Sequence, residues 1–388
     1  MNGLSIVIIG LSITSSWGNG HATTYRSLVR ALARRGHDVL FLERDVPWYA
    51  NSRDLPRPPY GRTRLYQDLP QLEREFSAAV ARADLTIVGS YVPEGVRVGR
   101  WVIETARKGL TAFYDIDTPV TVAKLDRGDE EYLSADLVPL YDLYLSFTGG
   151  PLLARLAREY GARQPLPFYC SVDPEMYFPE PAAGRRWDLG YLGTYSADRQ
   201  SALERLMLAV AEGLPERRFA VAGPQYPNDI AWPRNVARIE HLAPGDHRRF
   251  YNAQRFTLNL TRREMVRAGW SPSVRLFEAA ASGTPIISDW WEGLDRLFRP
   301  GRDILIARDT ADVARFLRDL PEERRRAIGH AGRQRVLSAH TSMHRAAELE
   351  RYVGATAPRR PARAAAPSAN RGAAPARTHP LTIVAHKA

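Results

Sequence analysis

The stretch Gly269–Asp289, G-W-S-P-S-V-R-L-F-E-A-A-A-S-G-T-P-I-I-S-D, sets the terms for the whole chain. It predicts a short helix that stops abruptly and drops into a buried strand. Ser271 suits the N-cap, and Pro272 suits the first helical position, where its missing N–H would be unpaired anyway. Val274, Phe277 and Ala281 share one face at i, i+3, i+7 spacing, and Leu276 with Ala280 widens it. Gly283 fits the position just past the helix and Pro285 prevents its continuation, so Ile286 and Ile287 open a strand. The run Ala279–Ser282 is small, which lets another backbone pack close.

Two charged residues stand inside this apolar helix. Arg275 and Glu278 are three apart on one face. The helix start offers free N–H groups and the positive end of the dipole. An arginine, a carboxylate and an anion-attracting helix start together suit a nucleoside diphosphate. Phosphates would lie at the N-terminus, and Glu278 would accept the ribose hydroxyls. The competing reading is a surface ion pair worth a few tenths of a kcal/mol.

The pattern R-L-F-E-A-A-A-S-G-T-P-I-I-S-D, followed by G-L-D-R-L-F-R-P-G-R-D-I-L, resembles the donor half of GT-B-type glycosyltransferases, and most nearly the CgeB-like (spore maturation protein type) family. The resemblance spans roughly residues 4–353; it is specific in the second half and looser in the first. It implies an α/β protein of GT-B architecture, two doubly wound Rossmann-like domains facing each other across a cleft. It also implies that Glu278 binds the ribose of a nucleotide sugar. Many retaining members carry a second glutamate eight residues earlier; Trp270 stands there, which points toward inversion.

Composition agrees with two domains. The chain has 388 residues, long enough for both. A single cysteine, Cys170, rules out an internal disulfide and fits a reducing compartment, and no Cys/His cluster has zinc spacing. The opening L-S-I-V-I-I-G-L-S-I lacks a basic leader and reads as a buried strand; no apolar run approaches the ~20 residues of a membrane span. A cytoplasmic location is therefore expected. The formal charge is +11, but six Lys/Arg and no acid lie from Gly354 onward. No recognition motif supports nucleic-acid binding. Polyanionic donors, or association with an anionic membrane surface, account for the charge more simply.

Taken in order, residues 5–11 predict a strand, S-S-W-G-N-G-H-A a glycine loop, and the next stretch to Gly36 a helix leading to a second strand at 38–42. Residues 46–70, with five prolines and no period, read as a long loop, an acceptor-side lid. Strands at 85–89, 110–116 and 143–147 alternate with helices, which argues for a parallel sheet. The proline-rich segment 164–181 resembles the GT-B interdomain connector. The pattern then restarts, with strands at 189–192, 219–222, 236–240, 256–260 and 304–306 and closing helices at 321–338 and 342–353. The expected domains are 1–168 on the acceptor side, 169–353 for the nucleotide sugar, and an Ala/Pro/Arg-rich tail, 354–388, whose composition predicts disorder.

Candidate site residues gather on the loops after the strands. His21 and Asp117 are the two candidate bases, His21 because an imidazole near its ordinary pKa suits proton transfer at neutral pH. Gly18 and Gly20 belong to a loop that, in GT-B acceptor domains, meets the donor phosphates. D-I-D at 115–117 is also the metal signature of the other glycosyltransferase fold; GT-B organisation normally works without a catalytic metal, so no metal ligand is assigned. Arg262 and Arg275 offer planar forks for the diphosphate, with Thr194 and Arg199 as further phosphate contacts. His241 and Leu242 stand where GT-B relatives hold the base through backbone groups. The function implied is metal-independent transfer of a sugar, without a resident cofactor, to a hydroxyl on a glycan, lipid-linked or small-molecule acceptor. A catalytically inert nucleotide-sugar or glycan-binding relative, or a GT-B-fold epimerase or phosphorylase, stays open at this level.

Overall fold

The computed structural model describes residues 3–17, 20–180 and 184–357. Gly18 and the tail from Pro358 onward lie outside the described residues. Two all-parallel sheets are present in one compact unit.

The first sheet has seven strands: β1 (Ser5–Gly10), β2 (Asp38–Arg44), β3 (Arg62–Tyr66), β4 (Leu85–Gly89), β5 (Leu110–Asp115), β6 (Leu143–Ser146) and β7 (Pro165–Pro167), in the order β3-β2-β1-β4-β5-β6-β7. The second has six: β8 (Trp187–Leu192), β9 (Phe219–Ala222), β10 (Val236–Ile239), β11 (Gln254–Asn259), β12 (Ile286–Ser288) and β13 (Leu305–Ile306), in the order β10-β9-β8-β11-β12-β13. Central strands such as β1, β4 and β5 are buried on both faces, as a parallel sheet covered by helices requires.

Strand order reverses between β1 and β4 in one sheet and between β8 and β11 in the other. Loops leaving the strands' carboxyl ends diverge there and leave a crevice, the usual place for a ligand on such sheets. Both reversals matter here, because loops after β1 and β5 in the first sheet and after β8 and β11 in the second line one common cleft.

Three details differ from the sequence reading. Residues 46–70 are not a bare loop: they hold a helical turn, Pro47–Ala50, and the edge strand β3. Only Tyr66 of β3 is buried, so the strand has no apolar run to betray it. The edge strand β7 lies inside the supposed connector; proline is tolerated there because an edge strand can leave its N–H side unpaired.

The third concerns the C-terminus. Helix Ser342–Ala355 was expected to close the second domain, but it rests on the first sheet's helix His21–Arg34. Ala346 and Leu349 join the core that holds Leu28 and Leu32. Glu350 accepts hydrogen bonds from Arg35 at 2.6 Å and pairs with His37 at 2.7 Å, and Tyr352 donates to the Pro167 carbonyl at 2.9 Å. The segment thus straps the second half back onto the first. It also extends two residues past 353.

Candidate active site

The central helix spans Val274–Ala281, capped by Ser273. It starts later than Ser271 would place it, because Ser271 is committed elsewhere: its hydroxyl donates to the Gly269 carbonyl and meets Thr148 of the first domain at 2.6 Å. The end is as expected, with Gly283 at φ +74° just past the helix.

Arg275 and Glu278 do not pair with one another, which removes the surface ion-pair reading. Arg275 is 7% exposed and Glu278 4%. Arg275 Nε donates to the Leu192 carbonyl at 2.5 Å and Nη1 to Asn259 Oδ1 at 2.8 Å, and the guanidinium lies 4.8 Å from the Tyr191 ring centroid. Nη2 lies under Gly193, where an added Cβ would meet it at 2.9 Å. The absence of a side chain at 193 lets this backbone turn close over the arginine. Glu278 Oε2 accepts from the Tyr251 hydroxyl at 3.0 Å, and His247 Nδ1 lies 4.0 Å away. His247 Nε2 meets the Leu242 carbonyl at 3.1 Å, so one imidazole links the Glu278 position to the Leu242 turn.

These residues open on a cleft of about 400 Å³. Of the residues singled out in the sequence, Gly20, His21, Asp117, Thr194, Arg199, His241, Leu242, Arg262, Arg275 and Glu278 all line it. Arg199 Nη2 donates to the Thr194 carbonyl at 2.7 Å, tying those two into one loop, while its Nε is buried without a hydrogen-bond partner. Three guanidinium groups, from Arg199, Arg262 and Arg275, therefore border the same space.

The first sheet contributes a different chemistry. Gly20 caps the helix His21–Arg34, placing His21 at its first position. His21 Nδ1 is buried without a hydrogen-bond partner, and the ring meets Tyr91 edge-on at 5.4 Å between centroids. Burial pushes the imidazole down to about 4, so it is neutral at pH 7 and a weaker base than its ordinary pKa would make it.

The two aspartates at the end of β5 separate in role. Asp115 is fully buried and turned inward, accepting from Tyr144 at 2.5 Å and Thr121 at 2.7 Å. Burial raises its pKa to about 6. Asp117 faces the cleft. Its Oδ2 accepts from the Tyr91 hydroxyl and from Arg262 Nη1, each at 3.1 Å, while Oδ1 is buried without a partner. Burial also raises the Asp117 pKa, against the opposing pull of Arg262.

Trp270 does not enter the cleft lining. It takes φ +49°, and its indole fills the space beside Gly150 and Gly293, where added Cβ atoms would meet the ring at 2.3 and 2.4 Å. Its carbonyl accepts from Gly149 N at 3.0 Å. This position serves the joint between the sheets. Tyr251, His247, Tyr91 and Asn259 were not singled out in the sequence. No local spacing connects them to Glu278, Asp117 or Arg275, from which they stand 16 to 31 residues away.

Comparison with known proteins follows the same lines. Residues 199–351 match a family model described as glycosyl transferase-like. No curated protein matches the sequence. Among solved structures, sucrose-phosphate synthase from Thermosynechococcus elongatus superposes with a TM-score of 0.66 at 15% identity, over 90% of this chain and 98% of that one. Anabaena HepE in complex with UDP and glucose gives 0.69 at 11%, over 91% and 100%. An E. coli trehalose-6-phosphate structure bound with UDP-2-fluoro glucose gives 0.61 at 11%, over 92% and 100%. The superpositions define the fold as GT-B, and the family match defines the class of the second half. The chain thus has the GT-B fold, and its second half carries a glycosyl transferase-like sequence.

Proposed function

We propose that this chain transfers a sugar from a nucleoside diphosphate donor, UDP-linked as in the structural relatives, to a hydroxyl acceptor. The observation that carries the reading is the cleft's cation set. Arg199, Arg262 and Arg275 border the space where Glu278 is buried and unpaired with any of them. Glu278 would accept the ribose hydroxyls, and the turn at His241 and Leu242 would receive the base. Guanidinium groups would meet the charge that grows on the leaving diphosphate. That charge comes from the protein, so the reaction is proposed to need neither a divalent metal nor a resident cofactor.

In this scheme Asp117 takes the acceptor's proton, and the acceptor oxygen attacks the anomeric carbon. The bond to the β-phosphate oxygen breaks, and the nucleoside diphosphate leaves with the electron pair. His21, kept neutral by burial, positions donor or acceptor by hydrogen bonding. Inversion is part of the proposal. Its support is Trp270, a non-carboxylate turned into the interdomain joint eight residues before Glu278. CgeB-like kinship, a cytoplasmic location and a glycan, lipid-linked or small-molecule acceptor belong to the same proposal. No helix among the described residues is long and apolar enough to cross a membrane.

The test is turnover of a panel of UDP-sugars with excess chelator, followed by NMR of the product anomer. Metal-free transfer with inverted configuration supports the scheme. Activity that dies with chelator and returns with Mn²⁺ contradicts its metal independence, and a retained configuration contradicts inversion. UDP binding without transfer to any acceptor class would favour a binding protein instead.

A further inference from the structure

Arg262 has a second relationship that phosphate binding alone does not explain. It precedes the helix Arg263–Ala268 in the second domain, yet its Nη1 crosses the cleft to Asp117 Oδ2 at 3.1 Å. Its Nε stands 3.7 Å from Asp198 and is buried without a hydrogen-bond partner. Asp117 Oδ1 is likewise buried and unpartnered. Asp198 is occupied by Ser196 and by the Arg263 N–H at 3.0 Å. Two further charges, Arg199 and Glu264, act on Asp117 through space.

We infer that Arg262 is a positioning residue shared between two anions, latching Asp117 across the cleft and leaving it when the donor diphosphate arrives. The inference rests on the donor-binding reading above. A diphosphate offers more charge and more acceptor oxygens than one carboxylate, so it wins the planar fork. Asp117 then keeps only the Tyr91 hydroxyl and becomes the stronger base. The acceptor is deprotonated only when the donor is in place, which imposes donor-first order on the reaction. The unpartnered Arg262 Nε fits a group that is only half satisfied by its present anions.

A latch of this kind makes an unusual prediction: removing the acid tightens donor binding. UDP titrated calorimetrically against Asp117→Asn should bind ~3–10-fold more tightly than against the wild type, because Arg262 no longer has to be won from a carboxylate. Arg262→Ala should weaken UDP binding. In the Arg262→Ala background, Asp117→Asn should then bring no further tightening. Simple repulsion between Asp117 and the diphosphate would leave the tightening intact in that background, and this result overturns the latch. Unchanged or weakened UDP binding by a folded Asp117→Asn overturns it as well, while leaving the donor reading untouched. Failure of the wild type to bind UDP removes both. If Asp117→Asn does not fold, Asp117→Ser and Asp117→Ala with the same titration, checked by circular dichroism, carry the test.

Discussion

On the second sheet's edge, Arg275 and Glu278 are held in place by protein: Leu192, Asn259 and Tyr251 fix them before any ligand arrives. On the first sheet's edge, His21 Nδ1 and Asp117 Oδ1 are buried with no hydrogen-bond partner among the described residues. The two edges share a topology, parallel strands diverging at a reversal point, and the contrast lies between these two pairs, since Arg199 Nε and Arg262 Nε on the second edge are also buried without a hydrogen-bond partner. A finished pair binds by fit. An unfinished one holds reactive groups whose partners come with the substrate, at a cost of about 1–3 kcal/mol for each buried group left unpaired.

The contrast can be broken most sharply at Asp117. If the first edge carries the chemistry, Asp117→Ala should lower kcat by roughly 10²–10⁴-fold without raising donor KM. His21→Ala should cost less, about 10-fold, and act mainly on KM, since a neutral imidazole here binds more than it titrates. A reversed ranking in steady-state kinetics would move the base to His21.

A smaller effect probes the finished pair. Tyr251→Phe removes the hydroxyl that steadies Glu278 and should weaken UDP binding by about 2–10-fold, the net worth of one ordinary hydrogen bond. Unchanged affinity would mean that Glu278 is positioned without it.

These edges were not equally legible in the sequence. Arg275, Glu278 and Gly283 fall within nine residues of one helix, so periodicity and capping rules reach all three. The helix start was misplaced because Ser271 is used by Thr148, a residue of the other domain that no local rule can see. His21 and Asp117 were found only as polar residues after strands. That they share Tyr91, and that Asp117 meets Arg262, depends on contacts 26 and 145 residues apart. The strap formed by Ser342–Ala355 was missed for a similar reason: its amphipathic pattern specifies burial, not the sheet on which it is buried.

That strap gives the smallest expected effect. The hydrogen bond from Arg35, opposed by burial and aided by His37, depresses the Glu350 pKa to about 2 from an ordinary 4.5. A depressed carboxylate stabilises the fold above its unfolded pKa and loses that contribution as pH falls through the folded one. Glu350→Gln should therefore lower stability at pH 7 by ~0.2–1 kcal/mol, the range for partly exposed pairs. The difference from the wild type should shrink between about pH 4.5 and pH 2. Thermal melts across that range check it; a difference that does not vary with pH would assign the effect to packing.

The central claim is that the buried glutamate of the helix Val274–Ala281 receives the donor's ribose. Calorimetric titration of UDP into the wild type and into Glu278→Ala tests it directly, with circular dichroism to establish that both are folded. The account predicts clear binding by the wild type and a loss of ~10–100-fold in the variant, equivalent to about 1–3 kcal/mol for hydrogen bonds to a charged acceptor. Equal UDP affinity in the two proteins would contradict it.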